Sequence, residues 1–503
     1  MAKTTPLIVH PVTALDPRST QALHVQVYER LRMAVLSGLL KGGARLPSTR
    51  ALANELRVSR TPVLAAYEQL AAEGYVESRV GAGTRVVAEM PEHLLNAGPA
   101  GVTAHVRQAR DEKRAIAARG NVMAREKFGP ELRIGQRSWR TAFRVAVPAL
   151  EEFPFEIWSR LVSRHLRRPR QEILDYHGAA GLERLRRAIA AHLSVSRGIR
   201  CSSDQILIVA GAQSGIDLSA RVLLDPGDTA LVENPGHLGI YGALRGAGVK
   251  IASVAIDREG FAISGRSNFG RNARVAFVTP SNQFPLAVTM SLPRRLALLD
   301  WAQSNGAWIV EDDYDSEFRF SGRPIEALRA LDRGDRVLYI GSFSKVLYPG
   351  LRLGYMVVPA DLVDAFAAAR RFIDVHPPLL PQAALTDFIE EGHFGRHLRR
   401  MRMIYAERAQ ALSEAFDRHL SGALSIAQPQ AGMHTVAWIT GKLSDRSVSE
   451  AAAREGVEAR PLSVYSLGRS KPGLVLGFGN VMPREITEGA RKLARALDRI
   501  RHH

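Results

Sequence analysis

The chain has 503 residues, 46% of them hydrophobic, which is too long for one ordinary domain and rich enough for two or three cores. Its formal net charge of +18 favours an acidic partner, nucleic acid first, with a generally arginine-rich composition as the bland alternative. Cys201 is the single cysteine, no apolar run reaches about 18 residues, and His177, His237 and His434 lack metal-ligand spacing. An intrachain disulfide is thereby excluded, and a membrane span and a metal site are not expected. The opening MAKTTPLIVHPV has no basic-then-apolar leader pattern, so a cytoplasmic protein is expected.

Residues 16–88 read as a first unit. HVQVYERLRMAVLSGLL places apolar residues at helical spacing and stops before Lys41-Gly42-Gly43. Ser48 is placed to cap a short helix, Thr49 to Leu56, followed by a tight turn at Arg57-Val58. Ser59 is placed to cap a second helix that runs to about Glu73, where Gly74 stops it. Pro62 then falls in the first turn, where its missing N–H does no harm. YVESRV and TRVV read as two strands joined through Gly81-Ala82-Gly83. Helix, helix–turn–helix and hairpin make a winged helix. Arg60 and Thr61 stand at the N-terminus of its second turn-flanking helix, where base edges and phosphates are met. Residues 89–140 are polar, basic and poor in aromatic side chains, and read as a basic linker with helical stretches.

From residue 141 to 503 strands and helices alternate. QILIVAG, TALVENP, ASVAI, RVAFVTP, AWIVEDD, RVLYIGS and LGYMVVP are short apolar runs separated by helical stretches such as SGIDLSARVLL and PRRLALLDWAQSNG. The pattern predicts an α/β domain with a mostly parallel sheet, the large part covering about 170–380. After Pro377-Pro378 long helices lead into a smaller α+β lobe, about 381–503, that contains HTVAWIT and GLVLGFG.

Polar groups collect where these strands end. Gly211-Ala212-Gln213-Ser214-Gly215 opens a helix, and small residues let backbone N–H groups approach an anion. Glu311-Asp312-Asp313-Tyr314-Asp315 follows AWIV. A carboxylate at a buried strand end needs a cation such as a protonated pyridine nitrogen, although the same letters also suit a surface acidic turn or a metal site. Ser342-Phe343-Ser344-Lys345, with Arg352 beyond, sets one of only nine lysines among small and apolar residues. A desolvated lysine loses its proton readily and attacks carbonyls. Phosphate grip, ring-nitrogen carboxylate and aldehyde-trapping lysine together describe a pyridoxal 5′-phosphate site at the carboxyl edge of a sheet.

VTPSNQFP, EDDYDSEFRF, HPPLLPQAAL, EEGHFGRHLRRMR and GSFSKVLYPGLRLGY give the region 141–503 a close resemblance to fold-type I aminotransferases. PSTR, VSRTPV and EGY resemble the winged helix of the GntR family, and the fusion resembles the MocR subfamily of GntR-type regulators. The implied fold is multidomain: an N-terminal winged helix (α+β), an α/β fold-type I aminotransferase-like domain and a smaller C-terminal α+β lobe. The resemblance implies that Lys345 forms the Schiff base, Asp312 pairs with the pyridine nitrogen and Tyr314 lies near the phenolic oxygen. It gives Gly211, Ala212, Gln213, Ser342 and Arg352 to the phosphate, and Tyr176 to the phosphate of a partner subunit. His237 stands where relatives place a tyrosine over the ring. Arg50, Ser59, Arg60, Thr61 and Gly81 match the GntR positions that touch DNA.

Departures from the family pattern are specific. SNQFPLA ends in Leu286-Ala287 where relatives have threonine and glycine, and the recognition helix has Ala65 where many MocR proteins have arginine. Val475 occupies the position before LGFG at which aminotransferases generally hold the substrate carboxylate with arginine; Arg460 is the substitute at hand. The implied function is a regulator that binds double-stranded operator DNA as a homodimer, its DNA-binding heads exchanged between subunits as is frequent in the family. An amine or amino-acid effector would form an external aldimine and alter operator binding. Three rivals stand beside it: a sensor of pyridoxal phosphate itself that controls vitamin B6 synthesis, an active aminotransferase with an accessory DNA-binding domain, and a repressor whose large domain no longer takes cofactor. The complete lysine, aspartate and arginine set stands against the last.

Overall fold

The computed structural model describes residues 15–16, 19, 21–79, 83–88, 116–125, 140–263, 270, 272–320 and 326–501. The chain divides into two compact units at Ala115/Ile116. Among the described residues no helix is long and apolar enough to cross a membrane.

The first unit holds α1 (Leu23–Leu36), α2 (Thr49–Glu55), α3 (Arg60–Ala72), β1 (Val76–Arg79) and β2 (Gly83–Val86). Val27 and Leu31 of α1, Leu52 of α2 and Val63 and Leu70 of α3 share one apolar core with Val86, which lies opposite Val76 in the antiparallel hairpin. Ser48 Oγ accepts from the Ala51 N–H at 3.2 Å, the expected cap of α2. Ser59 differs from expectation. Its backbone is extended as a cap requires, but its hydroxyl makes no bond to the first turn of α3 and the residue stays exposed. Arg57 makes the tight turn with φ of 53°. Tyr67 of α3 donates to the Pro47 carbonyl at 2.9 Å and so ties α3 to the lead of α2.

The second unit is built on eight strands: β3 (Ile206–Val209), β4 (Thr229–Asn234), β5 (Lys250–Asp257), β6 (Gly260–Phe261), β7 (Ala273–Val278), β8 (Trp308–Asp313), β9 (Val337–Ser342) and β10 (Gly354–Val357). Their order is β3-β10-β9-β8-β7-β4-β5-β6. Strands β5, β4, β7, β8 and β9 pair in parallel, and the connections from β4 to β5, from β7 to β8 and from β8 to β9 carry helices. The sheet is mixed, because β10 runs antiparallel to both β9 and β3. Only residues 343–353 separate β9 from β10, and so short a link joins antiparallel neighbours. That link carries Lys345 and Arg352 and emerges at the carboxyl end of β9, where β4, β7 and β8 also end.

Two helices, Leu379–Glu390 and His393–His419, follow and are separated at Gly392, which adopts φ of 75°. The smaller sheet contains β11 (Leu424–Ile426), β12 (His434–Ile439), β13 (Arg460–Pro461) and β14 (Gly473–Gly477), all antiparallel in the order β11-β12-β14-β13. Its register sets Arg460 directly opposite Val475.

Gly341 shows how tightly the lysine link is anchored. It lies opposite Tyr355 across β9 and β10, and a Cβ there would fall inside the buried Tyr355 ring. Gly341→Ala is expected to destabilise the second unit by about 1–3 kcal/mol, the usual scale of overpacking. A urea midpoint identical to wild type would show that the strands yield without strain.

Candidate functional site

Two sites emerge, one in each unit. In the first, Arg50 on α2 and Ser59, Arg60 and Thr61 at the start of α3 are all exposed. Arg60 Nε donates to Thr49 Oγ1 at 3.1 Å, which holds the guanidinium beside Arg50. With Arg57 these groups make a basic edge around a helix N-terminus, suited to phosphates and base edges. Gly81 lies outside the described residues.

In the second unit a cavity of about 430 Å³ opens at the carboxyl ends of the strands. Ala212, Gln213, His237, Asp312, Tyr314, Ser342, Lys345 and Arg352 all line it. Strand alternation on β8 sorts its acids. Glu311 points away and accepts from the Leu328 and Arg329 N–H groups, each at 2.9 Å. Asp313 also points away, pairing with Arg197 at 2.8 Å and accepting from the Tyr339 hydroxyl at 2.7 Å. Asp312 alone of the three faces the cavity, and its Oδ1 is buried without a hydrogen-bond partner among the described residues. Burial first, then the charges of Asp313 and Glu233, push its carboxyl up to about 7, while Lys345 works in the opposite sense. A cation at Oδ1 would restore the ionised form.

Lys345 sits in a single helical turn, Phe343–Val346, capped by Ser342, whose Oγ accepts from the Ser344 N–H at 3.2 Å. Its Nζ donates to the Ala146 carbonyl at 2.8 Å. Burial lowers the ammonium to about 8; Asp315 and Asp312 resist that fall, and Arg460 and Arg352 add to it. Near neutral pH a usable fraction is therefore the free amine, a nucleophile. At another wall the helix Ala212–Leu223 begins after Gly211, which has φ of 89°. A Cβ on Gly211 would stand 3.4 Å from the Arg352 guanidinium, so glycine leaves that approach open. Arg352 Nη2 donates to the Ala210 carbonyl at 2.6 Å. Backbone amides, helix dipole and guanidinium converge there on space for an anion.

The remaining wall is aromatic. His237, at the start of the helix Leu238–Gly246, meets Phe284 edge-on at 5.8 Å, and Phe284 meets Tyr465 at 5.2 Å. Burial drops the His237 and His434 imidazoles to about 4, so both are neutral at physiological pH. Tyr314 is held by donation to the Asn282 carbonyl at 2.8 Å. Val475 is buried in an apolar cluster, while Arg460, its partner across the ladder, lines the cavity beside Tyr465 and pairs with Glu458 at 3.0 Å. Tyr176 is not part of this assembly: it is 84% exposed and touches His376 edge-on.

Sequence reading missed three participants. The Ala146 carbonyl arrives from a segment that carries no motif. Phe284 is visible in the sequence only as one letter of the phrase SNQFPLA. Glu233, buried at the end of β4, takes bonds from the Thr279 N–H and hydroxyl and from Gln283, and burial lifts it to about 7. A lone glutamate ending an apolar strand was the available signal for the last. A larger cavity of about 700 Å³, lined in part by Arg319 and Glu326, has no lysine among its described lining residues.

Comparison with known proteins gives two family matches: Aminotransferase class I and II over residues 149–487, and Bacterial regulatory proteins, gntR family, over residues 23–86. The probable rhizopine catabolism regulatory protein MocR of Rhizobium meliloti is 40% identical over 96% of this chain and 95% of its own length. The pyridoxine biosynthesis transcriptional regulator PdxR of Corynebacterium glutamicum is 30% identical over 93% and 94%. Among solved structures, the α-aminoadipate aminotransferase LysN of Thermus thermophilus, complexed with N-(5′-phosphopyridoxyl)-L-leucine, superposes with a TM-score of 0.67 at 30% identity, covering 73% of this chain and 94% of that one.

The electrostatics of Lys345 can be checked directly. In protein dialysed free of carbonyl compounds, its reaction with an amine-selective reagent should rise with a midpoint near pH 8, well below an ordinary lysine. Asp312 supports the ammonium, so Asp312→Asn should move the midpoint lower still. A midpoint with the other lysines near pH ~10.4 would contradict a desolvated Lys345.

Proposed function

The chain belongs to the MocR-type GntR regulators, a winged helix joined to an aminotransferase class I and II domain, and on that premise we propose a transcription regulator whose cavity takes pyridoxal 5′-phosphate and an amino-acid effector. The observation that carries the reading is the unpartnered Asp312 Oδ1 in one cavity with Lys345 and the anion cradle. These residues fit the cofactor. A buried carboxylate oxygen of raised proton affinity suits a protonated ring nitrogen, and Gly211 leaves room for a phosphate beside Arg352.

When bound, pyridoxal phosphate supplies an aldehyde that condenses with amines and a ring that withdraws electrons. Asp312 would hold the ring nitrogen; Ser342, Arg352 and the amides of Gly211, Ala212 and Gln213 would hold the phosphate. Tyr314, kept protonated by burial, would hydrogen-bond the phenolic side, and neutral His237 with Phe284 would cover the ring and exclude water. Lys345, with its lowered proton affinity, would hold the cofactor through its free amine. Arg460 supplies the guanidinium that Val475 lacks, and it offers an effector carboxylate a charge-assisted partner.

Operator DNA would be held by Arg50, Ser59, Arg60 and Thr61, with Gly81 as a further family position. Effector binding shifts operator affinity only as far as it prefers one of two protein states. The exposed Tyr176, which does not line its own chain's cavity, supports a homodimer in which it reaches a second copy's phosphate. A sensor of pyridoxal phosphate itself is the second reading, favoured by the likeness to a pyridoxine biosynthesis regulator.

Protein loaded with pyridoxal phosphate should show a visible band that borohydride fixes covalently, and Lys345→Ala should abolish the fixation. Arg60→Ala should weaken operator binding by on the order of 1–3 kcal/mol while the band persists. Amino acids should change both band and operator affinity more than their decarboxylated amines, a preference that Arg460→Gln should erase. A change in operator affinity with pyridoxal phosphate alone, and none with any amine, would favour the sensor. Rapid turnover without effect on operator binding would favour an aminotransferase.

A further inference from the structure

The exposed side of α3 carries one large apolar residue. Val63, Ala66, Tyr67 and Leu70 turn inward to the core, while Arg60, Thr61, Leu64 and Glu68 turn outward. Leu64 is 40% exposed. A single exposed leucine is ordinary on a protein surface, so exposure alone decides nothing. Its position does. Leu64 stands four residues after Arg60, so the two side chains are neighbours on one helix face. Arg50, Arg57 and Arg60 gather at the N-terminal end of α3, whereas Glu68 and Glu73 mark its C-terminal end. A polyanionic duplex is therefore drawn to the first two turns and repelled from the last. In the major groove those first turns face base edges, and Leu64 faces them with Arg60.

A leucine side chain neither donates nor accepts a hydrogen bond. The one apolar feature that a base pair presents in the major groove is the C5-methyl group of thymine. We propose that Leu64 reads a T·A pair in each half-site by packing on that methyl group. One helical turn rises about 5.4 Å against about 3.4 Å per base step, so this pair lies one or two steps from the one Arg60 contacts. The inference rests on DNA binding through α3 and is independent of the cofactor.

The experiment begins by enriching random duplexes on the full-length protein, with and without pyridoxal phosphate. Each thymine of the selected site is then replaced singly by deoxyuridine, which removes only the methyl group. One thymine per half-site should lose on the order of fourfold in affinity when so replaced, the effect of one lost methyl contact. Leu64→Ala should bind the thymine site with a similar loss and become indifferent to deoxyuridine at that position, while responses at other positions persist. Those persisting responses show that the variant is folded. Leu64→Arg should shift selection at the same position from thymine to guanine. Equal deoxyuridine sensitivity in wild type and Leu64→Ala, or none in wild type, would overturn the proposal. Failure to enrich any duplex would remove α3 from DNA recognition altogether, and Leu64 with it.

Discussion

Three consecutive carboxylates on one buried strand are the constraint around which the second unit is arranged. Each must find a partner or lose its charge, since an ionised carboxylate is costly away from water. Glu311 takes two backbone N–H groups and Asp313 takes Arg197, both on the far side of the sheet. Alternation along β8 turns Asp312 the other way, into a cavity where its Oδ1 meets no donor among the described residues. A cation at that oxygen would restore the ionised form of Asp312, and the other polar groups of the cavity lie around it. An anion cradle lies at one wall, an amine of lowered proton affinity at another, and an aromatic cover over the space between.

The same cavity depends on an antiparallel strand set among parallel ones. The short link from β9 to β10 cannot cross the sheet, so β10 must return alongside β9. Lys345 and Arg352 are consequently fastened at both ends of an eleven-residue link rather than hung on a long loop. Close contact between Gly341 and Tyr355 tightens that anchorage. Across the smaller sheet, Arg460 and Val475 occupy one rung of the ladder. A guanidinium on either strand at that rung can serve the same space.

In the first unit the chemistry is simpler. A small apolar core orients α3 so that its first two turns are outward and basic. Phosphate attraction positions such a helix, and base-edge contacts specify sequence.

Much of this was legible in the amino-acid order. Apolar periodicity located the helices and strands of both units, because burial repeats every 3.6 or 2 residues. The short strand-to-lysine-to-strand stretch was visible as a phrase, and so were the glycine-rich turn and the acidic run. The mostly parallel sheet was legible too, while the reversal of β10 depends on link length and pairing rather than on composition. The cap expected of Ser59 failed because a side-chain bond depends on rotamer, which residue type does not set. By itself the sequence determined which groups were available: one lysine among apolar neighbours, a run of acids, a basic helix start and a valine in place of an arginine. Only the tertiary structure decided which acid lacks a partner, which carbonyl holds the lysine and which arginine faces the valine. Lys345 and the carbonyl that holds it stand 199 positions apart in the chain. Relations of that kind exist only once sheet pairing and burial have brought the segments together.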